Sequence, residues 1–476
     1  MQSFNTHYRH LYIDGQWQTP HSNERLSVVN PATEEICASV PSANAVDVDT
    51  AVLAARRAFN NWSSSSAETR ARLLHKIGDE MLLRYDDLVL AHVITMGCPQ
   101  HLSGAFHVDA AIEAMHFYAD LAHQMQEQQT KENVTLFKEA IGVCAFINPW
   151  NYPLHQLSGK IAPALAAGCT VVAKPAEQTP LQDFIMAEIF DKVGLPAGVF
   201  NLISGVGQSI GPSLCSHPQV DMVSFTGSTA AGINVAMAAA PTVKRVCQEL
   251  GGKSPIIITE DADLTAAVQY AIEDVMANTG QTCNALTRML IPQSLYQQTI
   301  TLAQQFAQQQ VVGDPLDPQT TMGPMASKKQ LETVLRYIDL GLEEGARLIT
   351  GPTQPSHLPT GHYIQPTIFV DVTNDMRIAR EEIFGPVLCI ITYETLEQAI
   401  EIANDSVYGL ACAVYAKDPA SALQIASKLR AGQCYTQGAY FSMHAPFGGY
   451  KQSGNGREWG EMGLDEYVES RAVIAG

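Results

Sequence analysis

The chain has 476 residues, of which 46% are hydrophobic and 16% are charged. A chain of this length exceeds what a single hydrophobic core usually supports, so we expect two or three well-packed domains rather than a disordered protein. The net charge is −19. Because nucleic acids and anionic membranes bind basic patches, this acidic balance argues against both as partners.

The ten cysteines have neither the spacing of a CxxC pair nor that of a metal knuckle. Most lie in apolar runs such as residues 143–146 (Val-Cys-Ala-Phe), which is typical of reduced thiols in a protein core. The polar segment from Met1 to His10 lacks a hydrophobic signal, and no apolar run approaches the roughly 18 residues of a membrane span. We therefore expect a cytoplasmic protein without a membrane partner.

The first predicted elements are a hairpin and a set of helices. Asp-Gly between apolar residues indicates the hairpin, and Ser66 is the expected N-cap of one helix. In chain order these elements are a hairpin at 11–17, helices across 48–62 and 73–82, a helix from Ala105 to Gln128 and an extended segment from Asn133 to Ile147.

From residue 170 onward, short buried strands alternate with amphipathic helices, which predicts doubly wound, mostly parallel α/β sheets. Asp263 is the expected cap of a helix that ends near Gly280, and residues 472–475 form a short strand that needs a distant partner. The predicted strands are 170–173, 200–203, 222–225, 254–259, 289–291, 346–349, 387–392 and 411–415, and further helices are 294–309, 327–344, 396–404 and 418–430.

Cys283 differs from the other cysteines because its neighbours in loop 280–285 (Gly-Gln-Thr-Cys-Asn-Ala) are polar. Most cysteines are structural thiols. A nucleophilic thiolate needs polar, partly open surroundings, which this loop provides. Local context supports the structural and the nucleophilic interpretation about equally.

Two other segments carry groups suited to catalysis at turns. Glu249 ends a predicted strand before two glycines, so it belongs either to a surface turn or to a general-base site. Asn151 lies in the segment 146–153, where two prolines and two asparagines break a strand. Its amide either caps a turn or donates to an oxyanion. Taken singly, each segment is more typical of an ordinary turn.

Several further residues are candidates for ligand binding. Two strand-to-helix turns resemble phosphate-binding helix N-termini, although neither matches GxGxxG. They contain Gly227, Ser228 and Gly232 in one case, and Gly205, Gly207 and Gly211 in the other. Lys174 and Glu177 are either solvated loop charges or ribose ligands. His7, His10, His101 and His107 have no carboxylate or cysteine at metal-ligand spacing, so no metal site is predicted.

Seven motifs occur in order between residues 149 and 451, within a likeness that extends from the hairpin at 13–15 to residues 457–458. They are 149–153 (Pro-Trp-Asn-Tyr-Pro), 174–180 (Lys-Pro-Ala-Glu-Gln-Thr-Pro), 225–229 (Phe-Thr-Gly-Ser-Thr), 249–255 (Glu-Leu-Gly-Gly-Lys-Ser-Pro), 280–283 (Gly-Gln-Thr-Cys), 381–386 (Glu-Glu-Ile-Phe-Gly-Pro) and 446–451 (Pro-Phe-Gly-Gly-Tyr-Lys). With them the chain resembles the NAD(P)-dependent aldehyde dehydrogenase superfamily. The resemblance implies oxidation of an aldehyde to a carboxylic acid through a covalent thioester.

The resemblance also implies roles for individual residues. Cys283 aligns with the nucleophile, Glu249 with the general base and Asn151 with the oxyanion donor. The implied cofactor-binding residues are Ile147, Trp150, Lys174, Glu177, Gly207, Gly211, Gly227, Ser228, Gly232, Leu250, Glu382 and Phe384. The implied aldehyde tunnel contains Tyr152, Gln156, Thr282, Phe441 and Phe447.

The implied fold has two doubly wound α/β domains and a small β-flap in a homodimer or homotetramer. The NAD-binding domain would comprise 1–121 and 142–251, the catalytic domain 252–450, and the flap 122–141 and 451–476, which would pair the C-terminal strand. Only four tryptophans occur, which argues against an aromatic cage for a quaternary ammonium aldehyde.

Several alternatives remain open. Glu177 favours NAD because a carboxylate would repel a 2′-phosphate, and NADP stays as the alternative. One rival activity is that of a semialdehyde dehydrogenase that transfers the acyl group to coenzyme A, which Glu249 disfavours. Another is a non-catalytic binding or structural protein on the same fold, disfavoured because all three implied catalytic residues are present.

Overall fold

The computed structural model describes residues 4–126 and 128–476, so predicted ranges that include residues 1–3 or 127 extend beyond the described residues. The strands are β1 (Leu11–Ile13), β2 (Gln16–Gln18), β3 (Arg25–Val29), β4 (Ile36–Pro41), β5 (Gln129–Lys131), β6 (Val134–Ala140), β7 (Val143–Ile147), β8 (Thr170–Lys174), β9 (Phe200–Leu202), β10 (Met222–Thr226), β11 (Arg245–Glu249), β12 (Pro255–Ile258), β13 (Arg288–Pro292), β14 (Arg347–Thr350), β15 (Thr367–Val370), β16 (Val387–Tyr393), β17 (Ala411–Tyr415), β18 (Gln433–Thr436), β19 (Gly454–Asn455) and β20 (Val468–Ile474).

The helices follow the predicted alternation with strands. They are α1 (Ala45–Ser63), α2 (Ala67–Leu83), α3 (Tyr85–Met96), α4 (Gln100–Leu102), α5 (Ala110–Leu121), α6 (Pro153–Ala167), α7 (Leu181–Val193), α8 (Gly207–Ser216), α9 (Thr229–Ala239), α10 (Leu264–Met276), α11 (Tyr296–Gln308), α12 (Lys328–Glu343), α13 (Arg377–Arg380), α14 (Leu396–Asn404), α15 (Pro419–Ala426) and α16 (Gly460–Asp465). Two predicted caps are confirmed: the Ser66 hydroxyl accepts from the Thr69 amide, and the Asp263 carboxylate accepts from the Ala266 amide.

The first sheet has the strand order β19-β11-β10-β7-β8-β9-β1-β2. The five strands from β11 to β9 run parallel, and β7 and β8 are buried along their whole length, as expected of a sheet covered on both faces. The chain leaves β7 towards β8 on one side and returns to β10 on the other. The gap between β7 and β10 is therefore the topological switch point.

The second sheet has the order β14-β15-β16-β13-β12-β17-β18 and is parallel except for β14. A short connection, residues 250–254, joins the carboxyl end of β11 to the amino end of β12. This connection brings the carboxyl edge of the first sheet next to the amino edge of the second. The predicted α/β fold with doubly wound sheets is confirmed.

A third sheet has the order β20-β6-β5. β20 pairs antiparallel with β6 from Val468 opposite Ala140 to Ile474 opposite Val134. This pairing provides the partner that the C-terminal strand was expected to need. The division of the chain into three functional domains stays a prediction. Among the described residues, no helix is both long and apolar enough to cross a membrane.

Two helix predictions are wrong in detail. The helix predicted from Ala105 is interrupted, because Ser103–Asp109 forms a π-helical turn before α5 and a 3₁₀ turn follows it. The helix predicted to end near Gly280 ends at Met276, since Asn278 and Thr279 adopt left-handed backbone conformations with φ of 51° and 56°. An apolar repeat of 3.6 residues carries no signal for either change.

Candidate active site

Four neighbouring parallel strands end at the same edge of the first sheet. Ile147 of β7 pairs with Lys174 of β8 and with Phe225 of β10, and Thr226 of β10 pairs with Glu249 of β11. Each strand continues into a loop that carries residues predicted to bind the cofactor or substrate. Because ligands of open α/β sheets bind beyond the carboxyl ends at the switch point, the topology independently selects this edge.

The Cys283 loop reaches this edge from the amino side of the second sheet. Gly280 has a φ of +70°, and a Cβ there would lie 2.2 Å from the carbonyl of Gly385. The chain can therefore make this turn only with glycine at that position. A Cβ on Gly252 would likewise lie 2.6 Å from the carbonyl oxygen of Cys283. The loop is thus held between the segment before β16 and the connection to β12.

The Cys283 thiol is partly buried. Burial raises its pKa, and the neighbouring carboxylates of Glu249 and Glu382 raise it further. Nearby negative charge and burial therefore both favour the neutral thiol, and the nucleophilic role of Cys283 stays a prediction. A reactive thiolate here requires a proton acceptor.

Glu249 is a candidate for that acceptor. It ends β11, is buried, and its Oε2 has no hydrogen-bond partner among the described residues. Burial raises the pKa of this carboxyl well above its ordinary value, the charge of Glu458 raises it further, and Lys160 opposes the shift. A carboxylate with a raised pKa is a stronger base and suits proton transfer near neutral pH.

Lys160 and Glu458 form a buried ion pair behind Glu249 that the sequence did not indicate. The Lys160 Nζ lies 2.7 Å from Glu458 Oε1, and it also donates to Thr226 Oγ1 at 2.8 Å and to Gln156 Oε1 at 3.0 Å. Lys160 lies within α6 and Glu458 lies just before α16. Since the two are far apart in the chain and in no shared motif, only the folded structure brings them together.

Asn151 lies against the other side of the Cys283 loop. Its Nδ2 donates to the carbonyl of Gln281 at 2.9 Å, and the Asn278 side chain donates to the carbonyl of Asn151 at 3.1 Å. These bonds hold the Asn151 side-chain amide against Gln281, which lies two residues before Cys283 in the chain. Because a primary amide has two N–H groups, the second can serve a ligand.

The residues predicted to bind the adenosine ribose lie together. The Glu177 carboxylate accepts a hydrogen bond from the Gly207 amide at the start of α8, and its Oε1 lies 3.7 Å from Lys174 Nζ. Gly211 lies one turn further along α8, and a Cβ there would meet nothing within 4 Å. Glu177 thus presents a carboxylate beside a helix N-terminus.

The turn at Gly227 and Ser228 leads directly into α9. The Ser228 hydroxyl caps the helix by accepting from the Ala231 amide, which leaves the amides before it unpaired within the helix. A Cβ on Gly232 would lie 2.6 Å from the Leu250 side chain, so α9 packs closely on the end of β11. These features are consistent with the predicted pyrophosphate turn.

Three further predicted cofactor residues are Trp150, Phe384 and Glu382, and the charge of Glu382 acts on the Cys283 thiol. The Trp150 and Phe384 rings meet edge to face with centroids 5.3 Å apart. Glu382 Oε1 accepts from the Gly252 amide at 3.0 Å, and burial raises the pKa of Glu382 to about 7. The twelve predicted cofactor residues therefore follow one continuous edge of the first sheet and its border with the second.

A cavity of about 880 Å³ opens on the other side of Cys283, and all five predicted tunnel residues line it. Eight aromatic side chains line its wall: Phe106, Tyr152, Tyr270, Tyr435, Tyr440, Phe441, Phe447 and Trp459. Tyrosine and phenylalanine supply seven of these eight rings, so the tryptophan count alone misses most of the aromatic wall, and the prediction against a quaternary ammonium aldehyde stays a prediction. No local sequence signal marks Tyr270 or Tyr435, which come from separate elements.

The charged residues of the cavity are all acidic. Asp109, Glu113, Glu273 and Asp274 contribute to its wall, whereas no lysine or arginine does so among the described residues. Asp274 accepts from the Leu286 amide at 2.8 Å, and burial raises its pKa to about 7. Anionic ligands would meet repulsion in this cavity.

Comparison with known proteins agrees with this geometry. A model of the aldehyde dehydrogenase family matches residues 17–473. The chain belongs to the aldehyde dehydrogenase family. A 3-succinoylsemialdehyde-pyridine dehydrogenase from a Pseudomonas species is 47% identical over 470 residues, which is 98% of each chain. The motif-based resemblance is therefore confirmed.

Solved structures of other aldehyde dehydrogenases share the fold over nearly the full length. Mutant aldehyde dehydrogenase C from Pseudomonas syringae, in complex with NAD+ and octanal, is 46% identical with a TM-score of 0.97, covering 98% of this chain and 96% of that one. A Mycobacterium tuberculosis aldehyde dehydrogenase complexed with NAD+ is 41% identical with a TM-score of 0.97, covering 99% of both chains. This aldehyde dehydrogenase is thus an enzyme of aldehyde oxidation.

Proposed function

We propose that this aldehyde dehydrogenase uses NAD to oxidise a large aldehyde without negative charge to its carboxylic acid, through a thioester on Cys283. One observation carries the proposal: Cys283 lies between the carboxyl edge of the first sheet and the aromatic cavity. A single sulfur atom can therefore contact a dinucleotide on one side and an aldehyde on the other.

The residues around Cys283 have the properties that the reaction needs. Glu249 takes the thiol proton, and the sulfur then forms a bond to the carbonyl carbon of the aldehyde. The Asn151 amide and the Cys283 N–H donate to the oxygen, which gains the negative charge. NAD, when bound, supplies the acceptor for the hydride that this carbon loses. Glu249, after returning its proton to solvent, activates the water that cleaves the thioester and releases the acid.

The preference for NAD is supported by the position of Glu177. Its carboxylate lies beside the Gly207 amide and Lys174, where a ribose with free hydroxyls could donate to it. A 2′-phosphate would be repelled by the same carboxylate. Both of the solved structures described above contain NAD+.

The substrate class is supported by the charge and shape of the cavity. Its aromatic wall suits a long or aromatic aldehyde, and its exposed acidic residues Asp109, Glu113 and Glu273 disfavour one that carries a carboxylate. Two similar proteins are associated with long or aromatic aldehydes. One is crystallised with octanal, and the other is named as a dehydrogenase of a pyridine semialdehyde.

A matched pair of aldehydes tests this substrate class. Pentanal and succinic semialdehyde have similar length and differ in a terminal carboxylate. We expect kcat/KM with NAD to be at least about tenfold higher for pentanal, and higher again for octanal, because burial of apolar surface adds to binding. Equal or higher kcat/KM for succinic semialdehyde would overturn the assignment.

Charge reversal at the cavity gives a second arm of this test. Glu273→Lys should raise kcat/KM for succinic semialdehyde severalfold, because it replaces repulsion by attraction. Glu332→Lys makes the same change on the exposed surface of α12 and should have no such effect. Adding coenzyme A in the same assay distinguishes hydrolysis from acyl transfer: a coenzyme A thioester as the product would favour the rival activity.

The protein is also proposed to be a cytoplasmic homodimer or homotetramer. All ten cysteines are free thiols, which suits a reducing compartment. Within the described chain, β5 and β20 are the outer strands of the third sheet, and Val473 and Ile474 on β20 are 48% and 70% exposed. Open strand edges with exposed apolar residues are typical of a subunit interface. Light scattering coupled to size exclusion should show a dimer or tetramer that Ile474→Asp weakens.

A further inference from the structure

Behind the wall of the substrate cavity, the fold brings together two histidines and a cysteine that have no role in the proposed reaction. His92 lies on α3, Cys98 follows that helix, and His107 lies on the π-helical turn Ser103–Asp109. All three are buried, with exposures of 0%, 1% and 0%. One ligand atom from each lies within 4.8 Å of the other two.

The ring nitrogens in this cluster lack partners. Neither nitrogen of His107 has a hydrogen-bond partner among the described residues, and neither does Nε2 of His92. Nδ1 of His92 pairs with the Ser103 hydroxyl at 3.0 Å. Buried polar atoms are satisfied in the great majority of cases. Both ring nitrogens of the buried His107 are without a partner among the described residues, and one His107 ligand atom lies within 4.8 Å of those of His92 and Cys98, which points to a ligand bound by imidazole nitrogen.

The donor set defines the chemistry of that ligand. A thiol and two imidazoles without a carboxylate suit Zn²⁺, whereas Mg²⁺ and Ca²⁺ prefer oxygen ligands. Ligand atoms around tetrahedral zinc are roughly 3.5 Å apart, given bonds of about 2.0–2.3 Å. The three atoms lie within 4.8 Å of one another, so they need to approach by at most about 1.3 Å to reach this spacing.

We propose that His92, Cys98 and His107 bind one Zn²⁺ ion, with Cys98 as thiolate and the fourth position open to a small ligand. Binding releases the Cys98 proton to solvent and forms one Zn–S and two Zn–N bonds. The π-helical turn is the local feature that turns His107 towards the other two, and such turns occur frequently at functional sites.

This site is connected to the active site through one aromatic ring. The His107 ring stacks on Tyr152, with centroids 4.4 Å apart and planes 6° from parallel. The Tyr152 hydroxyl lies 2.9 Å from the Thr282 hydroxyl, next to Cys283.

The test uses the full-length Cys283→Ser variant, so that the active-site thiol does not compete for metal. After removal of metals with a chelator, the protein is titrated with Zn²⁺ alone by calorimetry. We expect one equivalent to bind with high affinity. Replacement of Zn²⁺ by Co²⁺ should give a thiolate-to-metal charge-transfer band in the near ultraviolet. Either the absence of stoichiometric Zn²⁺ binding or the absence of this cobalt band would overturn the proposal.

Variants of the cluster localise the site. Cys98→Ala should remove the cobalt band, and both Cys98→Ala and His107→Gln should weaken zinc binding by at least about tenfold. Cys434→Ser, which removes an exposed thiol, is the matched control and should change neither. Thermal unfolding without metal checks that each variant is folded. An unchanged cobalt band in folded Cys98→Ala would assign the metal to other residues.

Discussion

The two sides of Cys283 are built in different ways. On the cofactor side, the predicted residues follow the ends of adjacent strands, and several contacts use backbone amides, such as that of Gly207 with Glu177. On the aldehyde side, the cavity wall comes from separate helices and loops and consists of side chains. A site made by strand ends and turns is encoded in short motifs, whereas a site made by side-chain shape is dispersed through the chain.

The largest expected effect comes from the residue that both sides share. Cys283→Ala should lower NADH formation by at least about 10⁴-fold for every aldehyde, because no other group can form the covalent intermediate. NADH fluorescence at saturating NAD and aldehyde measures this. Cys434→Ser is the control and should retain full activity. Appreciable turnover by Cys283→Ala would place the nucleophile elsewhere.

Asn151→Ala tests the second group at this junction. We expect kcat to fall by roughly 100- to 1000-fold, the usual scale for the loss of one oxyanion donor, with a smaller change in KM. Steady-state kinetics with octanal separate the two parameters. Asn60→Ala on the exposed surface of α1 is the control. If kcat stayed within about threefold of the wild type, the oxyanion role would belong to another donor.

Glu177→Gln should affect the cofactor side alone. Removal of the negative charge should raise the ratio of kcat/KM for NADP to that for NAD by about tenfold, because a 2′-phosphate is no longer repelled. The preference for pentanal over succinic semialdehyde should not change. A simultaneous change in aldehyde preference would show that the two sides are not independent.

Asp274 belongs to the wall of the aldehyde cavity. Asp274→Asn should produce the smallest effect, a change in the free energy of unfolding. Burial raises the pKa of Asp274 to about 7 in the folded protein, above its ordinary value. Ionisation of the Asp274 carboxyl therefore lowers the stability of the folded protein as the pH rises towards 7. An asparagine avoids this loss and can still accept the hydrogen bond from the Leu286 amide. At pH 8 we expect the variant to be more stable by about 1–2 kcal/mol, since partial exposure reduces the full effect.

The measurement is urea unfolding of both proteins at pH 5 and pH 8. The stability difference should be small at pH 5 and larger at pH 8, following the direction of the pKa shift. Glu332→Gln on the surface of α12 should show no such dependence on pH. A stability difference that decreased as the pH rose would contradict the assignment of the raised pKa to Asp274.

The amino-acid sequence by itself determined the fold class, the family and two helix caps at Ser66 and Asp263. It also identified Cys283, Glu249 and Asn151, whose catalytic roles remain predictions. These features depend on interactions within a few residues, such as a cap, a turn or the end of a buried strand, so they are readable in short segments.

Only the tertiary structure decided the electrostatics and the shape of the site. The Lys160–Glu458 pair, the acidic aromatic cavity and the cluster of His92, Cys98 and His107 unite residues from distant segments. The raised pKa of Cys283 also depends on burial and on carboxylates from other elements. The physical reason is that burial, charge and cavity shape are sums over neighbours in space, and packing alone selects those neighbours.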